Sequence, residues 1–348
     1  KHVMLNIKTW DVYGFSEIGG IAIMISSGRK LIGCKEGPLK DRNTIQRAGK
    51  NIKRYHSLYL MALPAILALI IFCYAPMVGL VMAFQEMDLS QAIFRSKFVG
   101  FKNFEFLFST TDAWIITRNT VCYNAVFIAL NMFLAVTLSL LLNELHSKRL
   151  GKTLQTVFIM PHFLSMTVVA IIVFALLSPT NGYLNNVLKS LGYSKHNWYM
   201  EVKAWPYILV IVNSWKHVGY DSVVYLASIS GISDEYYEAA ILDGANKFQQ
   251  ARYITIPHLR AMIAIMLILA VGNIFRGDFG LFYTVPQNNG ILYPVTDVID
   301  TYIYRGLMTL NNTGMTTAAG LYQSLVGFIL VLTANKIVSR ISPENAVF

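Results

Sequence analysis

Two groups of residues in this 348-residue chain have types and spacings that could do chemistry. One sits inside an apolar stretch and comprises Asn213, Trp215, Lys216, His217, Tyr220, Asp221 and Tyr225, with Asn273 in a later stretch. His217 and Asp221 are four residues apart, so a helix carries them on one face with Lys216 beside them. Ionisable groups within an apolar span seldom face lipid. The cluster is therefore expected to line an interior path, with Asp221 paired to His217 or Lys216. A charge-compensated packing cluster would use the same residues, and the sequence leaves both readings open. Asn124, Asn131, His162, Arg276, Tyr322 and Gln323 are weaker candidates of the same kind, since interhelical hydrogen bonds account for many such side chains.

The second group is a polar segment, residues 231–257, between two apolar stretches. Ser233 can cap a short helix whose first turn holds Asp234 and Glu235, where carboxylates suit the positive end of the helix dipole, and Gly244 can end it in a turn. A second short helix is expected from about Asn246 to Thr255, before Pro257 restarts the chain. Glu238, Ala239, Ala240, Asp243, Gly244, Ala245, Ile254 and Pro257 carry most of the information in this segment. The product is a compact helix-turn-helix knob at a membrane surface.

The elements that position both groups are membrane spans. With 55% hydrophobic and 14% charged residues, the chain departs from soluble domains, which average about 25% charge. Six apolar windows run at about 57–84, 115–143, 154–177, 205–230, 259–277 and 316–338. Each is long enough for about 30 Å of hydrocarbon. The expectation is an all-α integral membrane domain of six transmembrane helices with the knob between helices 4 and 5. Nine Lys and Arg residues fall in 29–54, which places that segment on the cytoplasmic side. The first span then leads outward, and the knob lies inside the cell.

Three segments follow: a basic cytoplasmic N-terminal extension over 1–54, a transmembrane domain over 55–340 and a cytoplasmic tail over 341–348. Residues 10–27 are fairly apolar but hold Asp11 and Glu17, which fits an interfacial helix. An added span, or a leader upstream of a start at Met4 or Met24, stays open. The +10 formal charge does not argue for nucleic acid, because basic residues of a membrane protein belong first in cytoplasmic segments. Cys34, Cys73 and Cys122 make no spaced disulfide framework. No Gly-rich phosphate loop, His-Glu-x-x-His zinc pair or Gly-x-Ser-x-Gly turn occurs, so no catalytic residue, metal site or cofactor is assigned to the chain itself.

The Glu238-Ala239-Ala240, Asp243-Gly244-Ala245, Ile254 and Pro257 pattern resembles the EAA loop of membrane subunits of ATP-binding-cassette (ABC) importers. Over about 55–345 the chain resembles sugar-importer permeases of the maltose-transporter type. Val99-Gly100-Phe101-Lys102-Asn103-Phe104 is similar to their segment between the first two spans. Asn143-Glu144-Leu145, Gln155-Thr156, Pro161-His162-Phe163-Leu164-Ser165 and Trp215-Lys216 are similar to the oligosaccharide and polysaccharide permease subgroup, some of whose members import acidic glycans such as alginate fragments. Ile256 stands where the family usually has Leu, and Arg252 where an aromatic is frequent. The resemblance implies a bacterial inner-membrane permease that is not an enzyme. Its partners would be a second related permease, two ATPase subunits that bind ATP and Mg, and an external solute-binding protein. It also implies that Glu238 bonds in the ATPase groove, that the alanines allow close approach, and that the polar cluster of the fourth span lines the sugar path. An ATP-independent transporter or channel is the alternative.

Overall fold

The computed structural model describes residues 55–86, 96–145, 147–309 and 311–341. The expected interfacial helix at 10–27, the basic segment 29–54 and residues 342–348 of the tail lie outside the described residues. The chain divides into a unit ending at Cys73 and a second one over Tyr74–Val347. In the first, α1 (His56–Leu69) contains Pro64 and buries none of its residues. It is apolar nearly all round, with Leu60 and Met61 largely exposed, which suits a lipid-covered helix. The helical path runs on through a π-turn, Ile70–Tyr74, and a 3-10 stretch, Ala75–Phe84.

The second unit is built on a pair of helices, α3 (Thr111–Asn143) and α7 (Trp205–Ile229), which pack on each other more extensively than any other elements. In α3 the buried positions Ala113, Ile116, Thr120, Tyr123 and Phe127 recur every three or four residues, a single stripe on an otherwise apolar helix. Trp205, Leu209, Val212, Lys216 and Gly219 form the matching stripe of α7. Around this pair lie α4 (Lys148–Ile159), α5 (Met166–Leu177), α10 (Ile256–Gly272) and α13 (Thr313–Ile341). Short helices α2 (Lys102–Ser109), α6 (Tyr183–Ser190), α11 (Tyr293–Thr296) and α12 (Ile299–Met308) fill the connections. The main core joins Tyr123 of α3, Val169 of α5 and Trp205 of α7 to Leu281 and Phe282 of a π-turn, Gly280–Thr284.

The Val99–Phe104 segment has a local structural reason. Gly100 takes a positive φ of 64° and turns the chain after the β1 (Gln85–Glu86) and β2 (Lys97–Phe98) pairing. Asn103 Nδ2 then donates to the carbonyls of Ala83 at 3.0 Å and Gln85 at 2.9 Å. These bonds use carbonyls that the end of the 3-10 stretch would otherwise leave open.

Among the described residues four helical stretches are long and apolar enough to cross a membrane, or five if one bent pair counts as a span. Two expectations need correction. The window 154–177 is not a straight helix: Lys148–Phe163 and Met166–Leu177 meet at 100°. α5 alone, with 12 residues, is only about 18 Å long, too short for the hydrocarbon by itself. Pro257, expected to restart the chain, sits in the first turn of α10 within one continuous helical stretch, Lys247–Gly272. Proline is tolerated there because a first-turn N–H needs no partner from its own α-helix, and the π-turn Ala251–Thr255 carries the chain into it. α7 matches the fourth window and has 25 residues, but its polar content keeps it out of the apolar set.

Candidate functional site

The bend between α4 and α5 explains the lysine of the polar cluster. A 3-10 turn, Met160–Phe163, follows α4, and such an end leaves carbonyls without partners. Lys216 Nζ donates to the carbonyls of His162 at 3.0 Å and Leu164 at 2.5 Å. An ammonium suits the negative end of a helix, and here it replaces the missing backbone donors. On the far side of the break, Ser165 accepts from Val168 N and caps α5. Tyr220, one turn on from Lys216, stacks on His162 with centroids 4.0 Å apart. Asp221, expected to pair with His217 or Lys216, has neither within salt-bridge distance among the described residues, and Lys216 is instead buried against the break.

The other members of the cluster divide between two surfaces. Asn213, His217, Asp221 and Tyr225 line a cavity of about 330 Å³ between α3, α7 and α10, and Asn273 closes its wall at the end of α10. Asn124 and Asn131 of α3 line the same cavity, with Phe127 and Met266 among its apolar walls. Trp215 and Tyr220 do not line it; both are largely exposed on another face of α7. Asn131 Nδ2 donates to Asn213 Oδ1 at 2.8 Å, joining α3 to α7 at the cavity floor.

The 231–257 knob has the local form its residues dictate. α8 (Asp234–Leu242) begins at Ser233, whose hydroxyl accepts from Glu235 N, and ends before Gly244 at φ 79°. Ala245 N closes the turn on Ala240 O at 2.9 Å, the six-to-one bond of a glycine-terminated helix. Asn246 and Gln249 make a reciprocal capping box that opens α9 (Lys247–Gln250). Tyr237 Oη meets Thr255 Oγ1 at 2.9 Å and holds the two arms together. Lys247 Nζ pairs with Glu144 at 3.1 Å, which attaches the knob to the end of α3. Glu238, Ala239, Asp243 and Gly244 are exposed, while Ala240, Ala245, Ile254 and Pro257 are half-buried. Beside Glu238 the knob exposes Leu242, at 89%, with Phe248 and Tyr253 on the following arm.

Residues 135–343 match the family described as binding-protein-dependent transport system inner membrane component. The chain belongs to this family. Protein LplB of Bacillus subtilis (strain 168) is 32% identical over 314 residues, spanning 88% of this chain and 98% of that protein. The polygalacturonan/rhamnogalacturonan transport system permease protein YteP of the same strain is 31% identical over 288 residues, spanning 83% and 89%. A crystal structure of a bacterial ABC transporter involved in the import of the acidic polysaccharide alginate contains a chain similar at a TM-score of 0.78 and 34% identity, covering 85% of this chain and 99% of that one. A chain of a bacterial alginate ABC transporter in complex with an alginate pentasaccharide-bound periplasmic protein is similar at 0.77 and 34%, covering 86% and 99%. As a binding-protein-dependent inner membrane component, the chain is a multi-pass, non-catalytic ABC permease, and the reading as an ATP-independent carrier or channel is set aside.

Several organising residues of this inner membrane component were not singled out from the sequence. Gly219 of α7 lies so close to α4 that an added Cβ would stand 1.9 Å from Phe158 O. Asn119 donates to the carbonyls of Pro294 at 3.1 Å and Asp297 at 2.9 Å, across 175 residues or more of chain. Burial pushes the Asp297 carboxyl upward, and this is opposed by Thr301 and by an ion pair with Arg305, which also covers the Tyr293 ring at 4.0 Å. Only Gly219, a glycine within an otherwise bulky helix, carried a signal that could have been read.

Proposed function

We propose that this chain is one of two related permease subunits of an ATP-driven importer in a bacterial inner membrane. Its cargo is an oligosaccharide or polysaccharide fragment delivered by an external solute-binding protein. The knob carries this reading: an exposed carboxylate, Glu238, beside exposed Leu242 and Phe248, on a turn fixed by Gly244, is a surface prepared for a protein partner. That partner is one of two cytoplasmic ATPases, which bind the ATP and Mg. α7 provides a further crossing for a total of six, its polar side turned to the cavity. The transmembrane domain then runs over 55–340, between a cytoplasmic extension and a short tail. The names of the similar proteins, one for polygalacturonan and rhamnogalacturonan and one for alginate, support a polysaccharide-derived cargo.

Gly244→Val is expected to insert and assemble but to lose sugar-stimulated ATP hydrolysis, because a β-branched residue at φ 79° costs about 1–3 kcal/mol of local strain and re-aims the turn. Glu238→Lys reverses the docking charge and should give the same loss. The measurement is ATPase activity of the reconstituted complex with binding protein and sugar; full stimulation in both variants would remove the knob from coupling.

Topology is tested on a background without Cys34, Cys73 and Cys122, with single cysteines at Lys50, Asn186 and Asn289. An impermeant thiol reagent applied to intact cells should label positions 186 and 289 and spare 50. The reverse pattern would place the knob outside the cell and sink the reading.

A further inference from the structure

The hydrogen-bonding groups of the cavity wall are unevenly committed. Asn131 spends both ends inside the chain, donating to Asn213 Oδ1 at 2.8 Å and accepting from Ser214 Oγ at 2.8 Å. Asn124 Nδ2 donates to the carbonyls of Thr120 at 2.9 Å and Ile274 at 2.9 Å, and Asn273 Nδ2 to that of Leu269 at 3.1 Å. Both amides thus keep an unused oxygen. His217 Nδ1 lies 3.0 Å from the carbonyl oxygen of Asn213. A carbonyl only accepts, so Nδ1 carries a proton, and in the neutral ring Nε2 is left as an acceptor. Asp221, with two more acceptor oxygens, has no hydrogen-bond or salt-bridge partner among the described residues. Against these stand the Asn213 amide nitrogen, the Tyr225 hydroxyl and the second N–H of the Asn131 and Asn273 amides.

Among the described residues no lysine or arginine lines the cavity. Lys216 is committed to the α4–α5 break, and Arg276 acts on the Asp300 carboxylate beyond the end of α10. The one carboxylate of the wall, Asp221, thus faces no lysine or arginine, and with His217 as the neutral imidazole the wall is anionic. A sugar hydroxyl can donate to each of those acceptors. A uronate carboxylate has no proton to give and carries the same sign as Asp221.

We propose that the wall this chain contributes to the translocation path selects uncharged, hydroxyl-bearing sugar units and discriminates against carboxylate-bearing ones, with Asp221 as the discriminating group. The proposal rests on the importer reading and narrows its cargo, in contrast to the acidic polysaccharides named for two of the similar proteins.

The test is equilibrium binding of radiolabelled cellopentaose and pentagalacturonate to the full permease–ATPase complex in nanodiscs, at pH 7 and without binding protein. The complex should favour the neutral pentasaccharide by about tenfold or more, since like-charge contact is strongly unfavourable. Asp221→Asn keeps the shape and removes the charge, and should bring the two affinities to within about twofold, chiefly by strengthening the acidic one. Asp221→Glu should retain the original preference. A ratio unchanged by Asp221→Asn, a wild-type preference for pentagalacturonate, or no binding of either sugar would overturn the proposal. ATP-driven uptake by proteoliposomes holding the same complex and its binding protein separates the two claims. Uptake with an unchanged ratio removes only the role of Asp221, whereas absence of any sugar uptake removes the importer reading itself.

Discussion

Gly219→Ala is expected to prevent the permease from assembling, although it adds one methyl group. The new Cβ would stand 1.9 Å from Phe158 O, 2.3 Å from Phe158 C and 3.0 Å from Ile159 N. All three are backbone atoms, so no side chain can rotate aside, and α7 must move off α4 by more than 1 Å as an order-of-magnitude requirement of van der Waals contact. Overpacking of a filled interior costs about 1–3 kcal/mol when side chains can adjust, and a backbone clash belongs at or above the top of that range. The shift would also pull Lys216 away from the break that it caps. Gly151→Ala in α4 is the matched control, because its nearest neighbour is Leu145 Cδ1 at 4.0 Å and alanine there should stabilise the helix by about 0.5–1 kcal/mol. Complex yield and melting temperature of the two variants decide the matter. A Gly219→Ala complex with the wild-type yield and melting temperature would remove the close approach of α4 and α7.

Lys216→Met has the second largest expected effect, and it bears on what the polar cluster is for. The variant keeps the apolar stem and deletes the ammonium, leaving the carbonyls of His162 and Leu164 without their donor. Charge-assisted hydrogen bonds of this kind contribute about 1.5–3 kcal/mol each, and buried carbonyls left open add to the loss. Yield and melting temperature should fall first, while transport per assembled complex stays near that of the wild type. Full assembly at an unaltered melting temperature with abolished transport would return Lys216 to the sugar path and deny the capping role.

The residues that were legible in sequence are those whose structure is decided by near neighbours. Ser233, Gly244 and the carboxylates of the first turn define the knob within a dozen positions, and α8 has the cap and turn they imply. The bend of the third window had a local signal in Pro161 and the capping Ser165 that the length of the apolar window outweighed, whereas the ammonium that holds the bend comes from Lys216, more than 50 residues away. Lys216 itself looked like a path residue for the same reason: a lone ammonium in an apolar span reads alike whether it faces a cavity or caps a neighbouring helix. His217 and Asp221 share the cavity wall, as four-residue spacing allows, while Lys216, just before His217, points elsewhere. Pro257 misled through position, since proline interrupts a helix interior but is accommodated in the first turn.

The unbroken passage from Lys247 to Gly272 has a mechanical meaning. Its 26 residues make a rod about 39 Å long, with the knob at one end and Asn273 at the other. Because no loop lies between them to absorb motion, tilting the rod by about 10° about its base would sweep the far end through about 7 Å, the scale of rigid-element displacements in switching proteins. Met266, Leu269 and Asn273, which stand on the cavity wall, would travel with it. The cavity's width would then follow the attitude of a surface turn that touches none of it. The Lys247–Glu144 ion pair ties the rod's foot to the end of α3.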